Sequence, residues 1–155
     1  MAKKRYPRVK RYLGEGCSKT CYSLSKRRVA LMADYQTLHY ELRMLKHLKK
    51  HGIPVPNFKM GKVIDETGEI SPALIGERFN FHTFRFSDRN ITKKQRKWLS
   101  KIRRAVADAE IDVTDLQFLG KRTGKVVICD PGAINGGTPA SSNNTVYALN
   151  EMLRE

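Results

Sequence analysis

The fold is decided by residues 12–32, YLGEGCSKTCYSLSKRRVALM. Gly14 and Gly16 interrupt the first apolar segment and predict a tight loop between two strands. The basic run 26–28 predicts a second turn, and residues 29–31 predict a third short strand. The chain therefore opens with a small sheet whose first turn is rich in glycine. Such a turn lets a phosphate group approach the backbone closely.

Hydrophobic periodicity and helix-end signals predict the remaining elements. Tyr35 and the leucines after it lie three or four positions apart, which indicates one buried helix face after Asp34. Thr92 with Gln95 fits a capping box. We predict a helix from Asp34 to about Lys50, followed by strands over 58–65 and 73–79. A second helix is expected from Thr92 to about Ala109, followed by a loop over 110–119, a hairpin turn over 120–124 and a strand over 126–129. A last helix over 146–154 would be capped by Asn144 or Thr145. The predicted class is α+β.

Composition limits the classes of protein that this chain can belong to. It has 155 residues, 40% of them hydrophobic, which fits roughly one domain with a packed core. No apolar run approaches a membrane span, and three cysteines do not form a closed disulfide framework. We therefore expect a reducing compartment. The net charge of +15 predicts attraction to polyanions, such as an acidic partner or nucleic acid.

The order of these elements resembles that of the protein kinase fold. The segment 13–22 is similar to the kinase glycine-rich loop, and Glu41 lies on a helix like the glutamate helix of the small lobe. Residues 110–119, EIDVTDLQFL, are similar to the ten-residue kinase catalytic loop, and residues 130–132, DPG, lie where kinases have Asp-Phe-Gly. The resemblance covers most of the chain. It implies a small antiparallel-sheet lobe and a heavily reduced helical large lobe.

The resemblance also implies the residues of the active site. Asp112 would be the catalytic Asp, with Asp130 and Gln117 as Mg²⁺ ligands and Glu41 as the helix glutamate. ATP would be bound by seven residues: Gly14, Glu15, Gly16, Lys19, Ala30, Glu77 and Phe79. Within that set, residues 75–79 resemble the hinge that receives adenine, and Ala30, Val63 and Phe118 would form the walls of the adenine pocket.

One departure from the kinase pattern is central. Met32 stands where the phosphate-binding lysine of Val-Ala-Ile-Lys is expected, and a thioether pairs with neither phosphate nor Glu41. Either the protein is a pseudokinase, or the cation has moved. Lys19 lies inside the glycine loop, at the position that with-no-lysine kinases use for their catalytic lysine. We favour Lys19 as the replacement, because Met32 leaves the usual position without a charge.

The chain also departs from the pattern after the catalytic loop. Ile111 replaces the arginine that grips a phosphorylated activation loop, and Pro131 replaces phenylalanine. The segment after Gly132 is too short for the later large-lobe helices, so the chain resembles a minimal kinase of bacterial-effector or phage type. This resemblance implies a protein of the cytoplasm, or one delivered into a host cytoplasm. We predict a basic mobile tail over 1–11 and one domain over 12–155, with a small lobe over about 12–79 and a reduced lobe over 80–155.

The sequence thus predicts an ATP-dependent phosphotransferase, most simply a minimal Ser/Thr protein kinase that uses ATP and Mg²⁺ and acts on a protein hydroxyl. A small-molecule acceptor stays open. Two alternatives belong to other classes: a catalytically inactive kinase-like binding module, and a basic nucleic-acid-binding protein. The joint presence of Asp112, Asp130 and a spare Lys19 favours the enzyme.

Overall fold

A computed structural model describes residues 5–15, 19–79, 81–82, 91–113, 116–129 and 144–154. The elements in these ranges are β1 (Tyr12–Glu15), β2 (Thr20–Ser23), β3 (Arg28–Met32), α1 (Tyr35–Lys50), β4 (Phe58–Ile64), β5 (Ile70–Glu77), β6 (Phe81–His82), α2 (Lys93–Ala109), β7 (Gln117–Gly120), β8 (Val126–Cys129) and α3 (Asn144–Leu153). The predicted α+β class is confirmed.

The chain divides into two compact units. The first unit comprises Met1–Arg43 and Asn57–Arg78, and the second comprises Met44–Pro56 and Phe79–Glu155. The division falls inside α1, so the two halves of one helix belong to different units. Each unit has its own cluster of buried apolar side chains.

The first unit is built on a five-stranded antiparallel sheet in the order β1-β2-β3-β5-β4. In this sheet Met32 lies opposite both Thr20 and Ala73. The apolar cluster on the sheet contains five buried residues, Val9, Leu24, Ala30, Val63 and Ala73, with Tyr22, Met32 and Ile75 packed against them. Ala30 with Met32, and Ala73 with Ile75, share this face because side chains two positions apart lie on the same side of a sheet.

The N-terminal segment adds to this sheet. The amide of Val9 donates to the Ile64 carbonyl at 3.0 Å, and the Ile64 amide donates to the Pro7 carbonyl at 2.8 Å. On the other side, the Lys10 amide donates to the Ser23 carbonyl at 2.9 Å. The sequence predicts a mobile tail over 1–11, whereas residues 7–11 are bound to the strands. The basic composition of this segment suggests a solvated tail, but the side chain of Val9 is buried.

Helix α1 begins where the sequence predicts. The Asp34 carboxylate accepts the Thr37 amide at 2.8 Å, so Asp34 caps the helix. Leu38, Leu45 and Leu48 are buried, whereas Tyr35 is exposed, contrary to the prediction that it shares the buried face.

The second unit has a core formed by α2, α3 and the β7–β8 hairpin. The predicted capping box is confirmed, because Thr92 accepts the Gln95 amide at 3.2 Å while the Gln95 side chain accepts the Thr92 amide at 2.9 Å. The buried face of α2 presents Leu99, Ile102 and Val106 to the core. The same core contains Leu48, Ile53, Phe118, Ile128, Leu149 and Met152.

Two local predictions in this unit were wrong. Residues 117–120 form β7 in a three-stranded sheet of order β6-β7-β8, whereas the sequence predicts a loop up to residue 119 and a hairpin turn from residue 120. Their strand character depends on pairing with β8, which local sequence does not show. Helix α3 begins at Asn144, so Thr145 lies inside the helix and does not cap it.

None of the helices in the described ranges is long and apolar enough to cross a membrane.

Candidate active site

Lys19 and Glu41 form a buried ion pair in the first unit. Lys19 immediately precedes β2, and Glu41 lies in the first half of α1. The Lys19 ammonium is 3.0 Å from the Glu41 carboxylate, and the two side chains are only 11% and 7% exposed. A buried pair of this kind incurs a desolvation cost, which close geometry and further polar contacts must offset. The ammonium is therefore held at a defined place beside the glycine-rich turn.

Met32 lies in a different environment from that ion pair. It is half-buried at the end of β3 and packs against the apolar cluster of the first unit. The residue at the usual kinase lysine position is thus a packing residue in this chain. The structure brings Lys19 to the helix glutamate in its place.

The glycine-rich turn is described up to Glu15. A Cβ placed on Gly14 would meet no atom within 4 Å, so the space beside the backbone there is open within the described part of the chain. Gly16 and the side chain of Glu15, both predicted to bind ATP, lie outside what the structure describes.

The predicted adenine-contacting residues lie in both units. Ala30 and Val63 are fully buried in the same apolar cluster of the first unit, and Glu77 ends β5 opposite Arg28. Phe118 is buried in the core of the second unit. Phe79, also in the second unit, is buried, with the Lys121 ammonium 5.2 Å from its ring centroid. Core packing is sufficient to explain the burial of the four apolar residues, Ala30, Val63, Phe79 and Phe118.

Asp112 lies in a buried hydrogen-bond network at the start of α3. The Thr145 amide donates to Asp112 Oδ1 at 3.0 Å, and the Thr145 hydroxyl donates to the same oxygen. That hydroxyl oxygen also accepts the Val113 amide at 3.0 Å. Asp112 and Thr145 are 6% and 2% exposed. Asp112 therefore supplies the cap of α3 from another segment of the chain.

Glu110 gives the chain the turn that leads into Asp112. It follows α2 with φ 52° and ψ 40°, the left-handed conformation that glycine adopts most easily. Its amide donates to the Ala107 carbonyl at 3.2 Å, and the next amide, that of Ile111, donates to Val106. Ile111, which replaces the expected arginine, is buried in the core.

Gln117 pairs with the residue that precedes Asp130, the other predicted metal ligand. It is opposite Cys129 in the β7–β8 hairpin, and Asp130 is the next residue in the sequence. Asp130 itself lies outside the described residues. Within the described ranges, no group of three His, Cys, Asp or Glu side chains is arranged to hold a metal ion.

The Cys21 thiol on β2 has no activated character. Burial raises the pKa of Cys21, and the nearby Arg78 guanidinium only partly offsets this effect. The thiol is thus the neutral form at physiological pH, which makes it a poor nucleophile.

Sequence reasoning missed Thr145 as a partner of Asp112. The two residues are far apart in the chain, and only the packing of α3 against α2 brings them together. The available signal was that Thr145 stands at the start of the predicted last helix, where the sequence offers it as a cap. Such a hydroxyl serves as a local cap far more often than as a long-range partner.

These features together define a reduced protein-kinase-like domain: a five-stranded antiparallel sheet with a lysine–glutamate pair, followed by a short helical unit that holds the Asp112 loop. Residues 2–155 match the family described as the type III secretion system effector HopBF1 kinase domain. The chain belongs to this family, which confirms the predicted minimal kinase-like fold of bacterial-effector type. A comparison with curated proteins gives no match.

Membership of this family establishes the class of activity and the cellular location. The chain is a kinase domain, hence of a phosphotransferase family. As a type III effector domain it is delivered into the host cytoplasm, as the resemblance implies. The family gives no support to a nucleic-acid partner.

Proposed function

We propose that this chain transfers the γ-phosphoryl group of ATP to a Ser or Thr hydroxyl of a host protein. The observation that carries the proposal is the buried Lys19–Glu41 ion pair at 3.0 Å. Phosphoryl transfer depends on positioning and on charge neutralisation more than on covalent chemistry. A lysine fixed by a helix glutamate next to a glycine-rich turn would position the phosphates and neutralise part of their charge.

In this proposal Lys19 binds the α- and β-phosphates, and Glu41 holds its ammonium in place. Gly14 and Gly16 let the backbone approach the phosphates. Ala30 and Val63 contact adenine from the first unit. Phe118, Glu77 and Phe79 complete the predicted nucleotide-binding set, with Glu15 beside the glycines.

Gln117 and Asp130 would hold Mg²⁺. Their oxygens are of the hard type that Mg²⁺ binds, and Mg²⁺ often takes only one or two protein ligands together with substrate phosphates. The absence of a three-residue metal cluster among the described residues is compatible with that arrangement. When bound, Mg²⁺ neutralises charge that develops on the β- and γ-phosphate oxygens.

Asp112 would orient the acceptor hydroxyl and take its proton. The bonds from Thr145 fix the orientation of the Asp112 carboxylate. A general base must lie at a defined place to be effective, and a buried network gives it one.

A catalytically inactive binding module is the second candidate, and one observation favours it. Asp112 is 6% exposed and already caps α3, so a structural role is sufficient to explain it. Such a module would bind Mg·ATP without transferring phosphate.

The test is transfer from γ-labelled Mg·ATP by the full chain to proteins of a host-cell lysate, followed by phosphoamino-acid analysis. We expect labelled phosphoserine or phosphothreonine with wild type and none with Asp130→Asn. Stabilisation by Mg·ATP without any label would support the inactive module. Label only on tyrosine or on a small molecule would overturn the acceptor assignment.

A further inference from the structure

We propose that the outward face of α2 is a docking surface for an acidic segment of the protein substrate. We call this face the basic stripe, and it consists of Lys93, Lys97, Lys101 and Arg104. These residues lie on one side of the helix because their spacing is four, four and three positions. All four are exposed, and the buried face of α2 lies on the opposite side. The inference rests on the proposed function, since it names how that enzyme holds its substrate.

The stripe differs from two of the three other basic residues of α2, Arg96 and Arg103. Arg96 donates to the Leu153 carbonyl at 2.6 Å, and Arg103 donates to Asn150 at 3.3 Å, so both tie α2 to α3. No carboxylate lies within ion-pair distance of the four stripe residues in the described part of the chain. Their charges are therefore not neutralised by ion pairs in the described part of the chain, and the one contact among them is that of the Lys101 ammonium with the Trp98 ring at 5.0 Å.

The arrangement of charge is also unfavourable for the helix itself. The first turn of α2 contains Lys93 and Lys94 and no acidic residue, although negative charge is favoured there. Cations at spacings of four residues repel one another. Asp108 is the one acidic residue of the helix, and it lies near the C-terminal end, where positive charge is favoured. An external anion would relieve this repulsion.

The stripe fits an acidic polypeptide better than the other polyanions. Single-stranded nucleic acid is held by exposed aromatic rings, but the one aromatic residue of α2, Trp98, is half-buried, with the Lys101 ammonium 5.0 Å from its ring. A membrane-surface helix inserts its apolar face, whereas that of α2 is buried in the core.

The length of the stripe sets the size of the ligand. From Lys93 to Arg104 there are eleven helical steps of about 1.5 Å, or roughly 16 Å. An extended chain advances about 3.3 Å per residue, so about five residues of an acidic segment would lie along the stripe.

Fluorescence anisotropy of the full chain with a labelled hexaglutamate peptide tests binding directly. We compare wild type with a stripe variant, K93Q/K97Q/K101Q/R104Q, and with a matched variant that removes four exposed charges from the first unit, K26Q/R27Q/K59Q/K62Q. The stripe variant loses repulsion within α2, so it is expected to fold, and circular dichroism checks this. We expect about tenfold or greater loss of affinity in the stripe variant and less than about twofold change in the matched variant.

The same binding measurement distinguishes a docking surface for acidic peptides from a net-charge effect and from binding of RNA or membranes. Equal loss in both variants would mean that only net charge matters, and would overturn the docking surface. Stripe-dependent binding of a labelled U10 RNA or of phosphatidylserine vesicles, tighter than that of hexaglutamate, would also overturn it. An unchanged affinity of the stripe variant for hexaglutamate would overturn the docking surface as well.

A kinetic arm separates this inference from the proposed function. A Ser-containing peptide is compared with and without an N-terminal hexaglutamate extension. The stripe variant should raise KM for the extended peptide alone and leave kcat unchanged. Stripe-dependent binding without any phosphate transfer would retain the surface while the proposed function fails. Phosphate transfer with the same KM in all variants would overturn the docking surface but leave the proposed function supported.

Discussion

Thr145 binds the Asp112 carboxylate through both its backbone amide and its hydroxyl. A residue of α3 thus fixes the side chain that the sequence identifies as the catalytic base candidate. Asp112 is consequently tied to the stability of the second unit as well as to the proposed chemistry, and the two contributions can be separated by mutation.

Asp112→Asn and Asp112→Ala should have different effects on stability and the same effect on transfer. Asparagine retains an oxygen that accepts the Thr145 amide, whereas alanine leaves buried donors unsatisfied, at a cost of about 1–3 kcal/mol. Neither variant offers a carboxylate base, so both should lose phosphate transfer. Urea unfolding measures the first difference. Equal stability of the two variants would show that the Asp112–Thr145 contact does not matter in solution.

Removing one partner of the Lys19–Glu41 pair should destabilise the first unit. Lys19→Met leaves Glu41 buried without that ammonium, which costs about 3–5 kcal/mol in buried pairs. The double variant Lys19→Met/Glu41→Leu should recover much of this loss, because no charge then stays buried. A double-mutant cycle from urea unfolding measures the coupling. Additive effects would contradict the buried ion pair.

Two glycines of the first unit should respond differently to alanine. A Cβ on Gly76 would overlap the Phe58 ring and lie 2.6 Å from the Asn57 carbonyl oxygen, so Gly76→Ala must displace backbone. We expect a loss of about 1–3 kcal/mol, typical of overpacking. Gly14→Ala meets no atom within 4 Å and should leave stability nearly unchanged while weakening ATP binding. Similar melting temperatures for both variants would contradict the close approach at Gly76.

The β4–β5 turn should lose stability in acid. Hydrogen bonds from Thr67 and then Ser71 lower the pKa of Asp65 from 3.8 to about 2. Since the folded pKa is depressed, the stabilisation is present above pH 3.8 and is lost as pH falls towards 2. Asp65→Asn should therefore lower the melting temperature near neutral pH, and its difference from wild type should shrink between about pH 4 and 2. A difference that persists undiminished at pH 2 would be inconsistent with the shift.

Much of this fold was predictable because local signals and tertiary packing agree. Asp34, Thr92 and Gln95 carry end signals that specify helices, and the structure confirms them. The exceptions are segments whose structure depends on a distant partner. Residues 7–11 are bound by strands more than ten residues away, and residues 117–120 form a strand by pairing with β6 and β8.

The candidate site shows the same limit. The vacancy at Met32 and the position of Lys19 could be identified from the sequence, because each is defined by a local motif. Their physical consequence, a buried pair with Glu41, requires the packing of α1 in the first unit. The Asp112–Thr145 contact spans 33 positions and had no local signal.

The central claim is that Lys19 provides the cation that the usual kinase position lacks. The most direct measurement is kcat/KM for transfer from Mg·ATP by Lys19→Met and by Met32→Leu, each beside wild type, with circular dichroism to verify folding. We predict a loss of about 100-fold or more for Lys19→Met, as expected when a charge-stabilising group is removed, and nearly full activity for Met32→Leu. Full activity of a folded Lys19→Met variant would contradict the account.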